Sequence, residues 1–212
     1  MRCWLVRKRC AIISTPFDGL SMKYELSNAP WLHDYPYRPQ VEVSLSTTGD
    51  ALLLHFRVKE DTVRAVAPHD NGRVWEDSCC EFFVQPEGSL YYNFECNAAG
   101  TLLIGCGPQR EGRELAPQEV LQQVERWSSL GSEPFDEKPA PDEWELKLRI
   151  PATALWHHQL TSFSGLSLKC NIYKCGDKLR QPHFLSLFPI PIAKPDFHRP
   201  DFFREIKVIS NV

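Results

Sequence analysis

The sequence predicts an all-β protein with one short helix, and three observations carry that prediction. Seventeen prolines are scattered from Pro16 to Pro200 in a chain of 212 residues, which leaves little room for long helices because each proline removes a backbone donor and crowds the preceding turn. Many short runs of β-branched and aromatic residues are bounded by Gly, Pro, Asp or Asn, the pattern of strands and turns. Within those runs apolar residues recur at every second position, which gathers them on one face of an extended chain.

The elements follow in order. Val41, Val43 and Leu45 alternate with polar positions, Gly49-Asp50 turns the chain, and Leu52, Leu54, Phe56 and Val58 alternate again, so residues 41–48 and 51–59 form a hairpin with one shared buried face. A second hairpin joins 79–84 to 91–97 around Pro86-Glu87-Gly88. Period two sets Cys80, Phe82, Val84, Tyr92, Phe94 and Cys96 against Cys79, Glu81, Phe83, Tyr91, Asn93, Glu95 and Asn97, an apolar face and one that carries polar groups. Further strands run from Trp144 to Ile150, closed by Pro151, and from Leu166 to Cys175. The helix candidate is 117–127, where Pro117 suits a first turn and Val120, Leu121, Val124 and Trp127 recur at three and four. Residues 128–143 read as a surface loop, and 189–200 as an extended tail packed along the body.

With 42% hydrophobic and 24% charged residues the composition is that of an ordinary globular chain, and a β-sandwich of this length is commonly one domain, so 1–212 is read as a single domain. Net charge is −3 with both signs interspersed; no field of the kind that draws proteins to phosphate backbones or anionic membranes is present. Nucleic acid and membrane are therefore not expected partners. Apolar runs are strand-sized, such as Ala51 to Leu54, far below the roughly 20 residues of a membrane span. The basic amino terminus lacks the apolar stretch of a secretory signal, which places the chain as written in the cytoplasm, or outside it if a signal has been removed. The eight cysteines, at 3, 10, 79, 80, 96, 106, 170 and 175, form no C-x-x-C pair and read as reduced, largely buried thiols.

Four segments in this order resemble carbohydrate-binding family 9, in its free-standing form: Val74–Val84 (VWEDSCCEFFV), Tyr91–Thr101 (YYNFECNAAGT), Asn171–Gly176 (NIYKCG) and Pro195–Phe203 (PDFHRPDFF). The resemblance implies a jelly-roll-like antiparallel β-sandwich that holds a mono- or oligosaccharide at one end without cleaving it and needs no cofactor, though a structural calcium is common in the family. A glycoside hydrolase encoded elsewhere is the implied partner. Members that bind hold the sugar between two aromatic rings, and Trp75 is the one with a counterpart here. Arg204 stands where the family has glycine.

A sugar presents an apolar C–H face and a belt of hydroxyls, so its site needs a flat ring and convergent donors and acceptors. Trp75 offers the ring, and Glu81 matches a hydroxyl-binding carboxylate of the family. Asn171, Tyr173 and Lys174 come from the later motif, with Asn171 and Tyr173 on one face. Each also has a plain structural reading: Trp75 as a cap on the core, Glu81 as a solvated strand charge, Lys174 as a surface residue. Asn93, Glu95 and Asn97, with Glu60, Asp61, Asp70 or Asp77, offer oxygen donors to a calcium ion. Phe197-His198-Arg199-Pro200-Asp201-Phe202-Phe203 reads as a structural anchor, because neighbouring side chains of an extended chain point apart.

Two other functions remain open on the sequence. Glu81 and Glu95 lie on facing strands, and glycoside hydrolysis uses paired carboxyls. A structural or interaction domain without sugar binding is the other.

Overall fold

The computed structural model describes Phe17 and residues 20–210; Cys3, Cys10 and the basic amino terminus lie outside them. The strands in chain order are β1 Met22–Glu25, β2 Gln40–Thr47, β3 Ala51–Lys59, β4 Thr62–Ala65, β5 Cys79–Gln85, β6 Tyr91–Asn97 and β7 Leu102–Gly107, followed by β8 Glu114–Leu115, β9 Glu125–Ser128, β10 Phe135–Pro139, β11 Trp144–Pro151, β12 Ser167–Cys175, β13 Phe184–Ser186 and β14 Arg204–Lys207. They build an antiparallel β-sandwich. One sheet has the order β1-β2-β3-β11-β9, the other β13-β12-β5-β6-β7-β8 with β14 also on β12, and β4 pairs with β10 as a separate ribbon.

The first sheet shows why alternation predicts it. Trp144, Leu146, Leu148 and Ile150 are fully buried while the residues between them are partly exposed. The outer face is stitched by cross-strand charge pairs, among them Arg57 to Glu42 at 2.8 Å. In the β2–β3 turn Gly49 takes a left-handed φ of 90° that a β-carbon would strain. The inner face meets Cys80, Phe82, Val84, Tyr92, Phe94, Cys96, Cys170 and Ile172 of the second sheet in one apolar layer. Each large side chain buried there contributes about 1.5–3 kcal/mol.

The second sheet is buried on both faces. Cys79, Phe83, Tyr91, Leu103, Tyr173 and Cys175 on its outer side are covered by Trp31, Val74, Ile190, Phe197 and Phe203. The carboxy-terminal tail thus makes a third layer, with Phe197 stacked on Tyr173 at 4.1 Å. Arg204 opens β14 against Cys170, where no left-handed backbone is needed.

Two sequence expectations change. The helix predicted over 117–127 is the single turn Gln118–Leu121, and Glu125–Ser128 is a strand, because β11 supplies a ladder for it: Lys147 pairs with Trp127 and Leu148 with Arg126. Long-range pairing outweighs a helical period of only three turns. The loop 128–143 contains β10, held by the edge of β4. All six described cysteines are buried.

Candidate functional site

The uncovered part of the second sheet's outer face is a cavity of about 760 Å³. Its floor comes from β5, β6 and β7, with Glu81, Phe83, Asn93, Glu95, Leu103 and Gly105; its walls are Trp75, Asp177, Arg110 and Arg113, and Tyr35, Phe184 and His198 close the side nearest the tail. A smaller depression of about 410 Å³ crosses β1 to β3 on the opposite sheet, but it is floored by the ion-paired Lys23, Glu42 and Arg57, with Tyr24 the one aromatic among its lining residues.

Trp75 sits in a one-turn 3-10 helix, Val74–Glu76, between β4 and β5. The loop carrying it is tied down by two aspartates, Asp77 fully buried and Asp70 partly so. Asp77 accepts hydrogen bonds from the Val66 and Ala67 amides, both at 3.0 Å, from Asn97 Nδ2 at 2.9 Å and from Arg64 Nε at 3.2 Å. Asp70 takes a two-pronged contact from Arg126 at 2.8 and 2.7 Å, the strongest geometry for a guanidinium and a carboxylate. Val74 is anchored in the apolar layer while Trp75 beside it remains half-buried at the cavity rim.

On the floor, Glu81 and Glu95 face each other across β5 and β6 in register, which sets their β-carbons about 4.5–5.5 Å apart. Both are almost completely shielded, at 3% and 4% exposure. Burial pushes the Glu81 carboxyl well up, and the neighbouring Glu95 charge adds to the shift. Burial likewise raises Glu95 to about 7, opposed by the hydrogen bond from Asn93 and by the Arg113 charge. Asp177 on the wall is raised to about 6 by burial.

A relay of hydrogen bonds orients this floor. Arg113 lies 4.0 Å over the Tyr91 ring, and its Nε donates to Asn93 Oδ1 at 2.9 Å; Asn93 Nδ2 in turn donates to Glu95 Oε1 at 2.8 Å. Gly105 is paired with Asn93 across β6 and β7, and a β-carbon on it would fall 2.7 Å from Asn93 Oδ1 and 3.3 Å from Arg113 Nε. The bare backbone makes the space the relay occupies. On the tail side, His198 Nδ1 and the Tyr91 hydroxyl are 2.9 Å apart. Burial, reinforced by the Arg113 and Arg110 charges, lowers His198 to about 3 and keeps it neutral.

The sequence profile of carbohydrate-binding family 9 matches residues 20–208. The chain belongs to that family. Family 9 membership agrees with the solved structures it resembles. A putative carbohydrate-binding protein from Bacteroides uniformis is 53% identical, with a TM-score of 0.83 over 86% of this chain and 84% of that one. Two structures of a family 9 carbohydrate-binding module from Caldicellulosiruptor kristjanssonii share the fold at 12% identity. The glucose complex has a TM-score of 0.54 over 87% of this chain and 84% of that one. The cellotriose complex has 0.51 over 92% and 84%. No curated protein matches the chain.

Within this family 9 fold the five residues singled out from sequence separate. Trp75 and Glu81 both line the cavity. Asn171 and Tyr173 share the cavity-side face but are roofed over. Asn171 is spent on backbone, with Oδ1 accepting from Phe188 N at 3.0 Å and Nδ2 donating to Phe188 O at 3.2 Å. Tyr173 lies under Phe197 and donates its hydroxyl to Phe197 O at 3.2 Å. Lys174 points to the other face, opposite Cys80, fully buried with Nζ 2.9 Å from Glu60 Oε2 and 2.7 Å from His183 Nε2. Burial opposes that charge, but Glu60 more than offsets it and the ammonium is held charged. Lys174 is therefore neither a surface residue nor within reach of the cavity. The cavity also lies over the face of a sheet, and not at one end of the sandwich, because the tail and residues 31–35 wall off only part of that face.

Three of the oxygen donors considered for calcium are already paired with cations. Glu60, Asp70 and Asp77 already face Lys174, Arg126 and Arg64, which supply the positive charge a cation would bring. Sequence reasoning missed Tyr35, Phe184, Arg110, Arg113 and Asp177 at the site, and read His198 as purely structural. Only period two in β6, which puts Asn93 and Glu95 beside Glu81, announced the polar floor.

Proposed function

We propose that the chain binds a mono- or oligosaccharide in this cavity, without cleaving it. The observation that carries the reading is the pairing of Glu81 and Glu95 on a shielded floor in the cavity that the partly buried Trp75 ring also lines. A ring of that kind takes the C–H face of a pyranose, and two carboxyls with Asn93 and Arg113 beside them offer acceptors and donors to adjacent hydroxyls. Tyr35 and Phe184, in edge contact at 4.8 Å, are candidates for the second ring. The family 9 modules solved with glucose and cellotriose make glucose and short β-linked glucosides the first ligands to try, and a glycoside hydrolase encoded elsewhere the natural partner.

Binding without cleavage is the reading that membership of a carbohydrate-binding family supports. The test is calorimetric titration of the purified chain with glucose, xylose, galactose, mannose and cello-oligosaccharides. Saturable heats for at least one ligand, with no reducing sugar released from oligosaccharides, are expected. Silence across the panel would leave a structural or interaction domain, and sugar release lost on Glu81→Gln would make the chain an enzyme.

A further inference from the structure

Beneath Trp75 the cavity wall carries a cluster that joins Glu81 to two cysteines for which saccharide binding has no use. Cys79 and Cys175 are direct partners across β5 and β12, and their thiol sulfurs and a Glu81 carboxylate oxygen all lie within 4.8 Å of one another. Cys175 Sγ donates to Glu81 Oε1 at 3.0 Å and lies 3.4 Å from the Trp75 carbonyl. The other four described cysteines, Cys80, Cys96, Cys106 and Cys170, sit in the apolar layer between the sheets.

We infer that Cys79, Cys175 and Glu81 form a site for a thiophilic divalent metal ion of the zinc type, with its fourth position open to the cavity. Two sulfurs and one carboxylate oxygen suit a borderline-soft ion and not calcium or magnesium, which take oxygen alone. Tetrahedral zinc bonds of about 2.0–2.3 Å call for only a modest contraction of the observed spacing, within reach of side-chain rotation. The backbone is already set, because two ligands are held in strand register and the third is diagonal to one of them. Access is through the cavity, which Glu81 and Cys175 both line, with Asp177 on the same wall.

The proton balance is explicit. Burial holds the free ligands neutral, with Cys79 raised to about 12 and Cys175 and Glu81 also raised. Binding therefore replaces three protons, released to solvent, with one doubly charged ion, and affinity rises with pH.

The test uses the full reduced chain, stripped with a chelator and titrated with cobalt(II), then zinc(II), without saccharide. A thiolate-to-cobalt charge-transfer band saturating at one equivalent and bleached by zinc is expected; it should vanish in Cys79→Ser and Cys175→Ser and persist in Cys106→Ser. Because a serine in the sheet can cost folding, zinc protection is read on the unaltered protein: alkylation of Cys79 and Cys175, mapped by mass spectrometry, should slow at least tenfold when zinc is present. No band together with unchanged alkylation would overturn the inference, as would a band that survives in both serine variants. None of these readouts involves sugar, so failure here leaves the saccharide reading intact, and the reverse holds.

Discussion

Glu81 and Glu95 are exact register partners across two antiparallel strands, and both are more than nine-tenths shielded from water. Two carboxyls so placed cannot both ionise cheaply. Their protonation therefore couples the stability of the sheet to the state of the cavity floor.

The sign for Glu95 follows from linkage. Its folded value of about 7 exceeds the ordinary 4.5, so the folded state holds a proton that the unfolded chain gives up, and stability falls as pH rises from 4.5 to about 7. Glu95→Gln should match the unaltered protein near the lower end of that window and exceed it above the upper end, by up to about 3 kcal/mol. Urea denaturation at both extremes measures this; equal pH profiles for the two proteins would refute it.

His198 works in the opposite sense. Its lowered value, about 3 against the ordinary 6.5, means that stability is lost as pH falls below 6.5, where the unfolded chain takes up the proton first. The imidazole resonances of His198 should stay fixed across the range in which a free histidine titrates, about pH 5–8. A midpoint inside that range would mean that the tail does not seal the ring against Tyr91.

Trp75 is half-buried, so the loss of its ring should be felt by ligand more than by fold. Trp75→Ala is expected to weaken saccharide binding at least tenfold, about 1.4 kcal/mol, while the melting temperature moves little. Unchanged affinity in calorimetry would remove the platform from the site.

Lys174 gives the contrasting case. Lys174→Met strands the Glu60 carboxylate in the interior and should cost about 3–5 kcal/mol of stability, leaving saccharide affinity of the folded fraction unchanged. A loss of affinity at full folding would put Lys174 back among the ligand contacts.

Six of the fourteen described strands, β2, β3, β5, β6, β11 and β12, with their faces and the polar line of Glu81, Asn93 and Glu95, were legible in the sequence, because period two is a local property of an extended chain and needs no knowledge of neighbours. The alternation in Trp144–Pro151 and the motif around Trp75 announced the sandwich and its family in the same way. What covers each face was not legible. Asn171 and Tyr173 share the face of Glu81 by period, yet Phe197 and the Phe188 backbone, close in space and distant in sequence, occupy them. Lys174 is buried because Glu60, 114 positions earlier, meets it on the opposite face. Glu125–Ser128 is a strand because β11 offers it a partner. Periodicity assigns a side chain to a face; only the packing of distant segments decides whether that face meets water, a ligand or the rest of the protein.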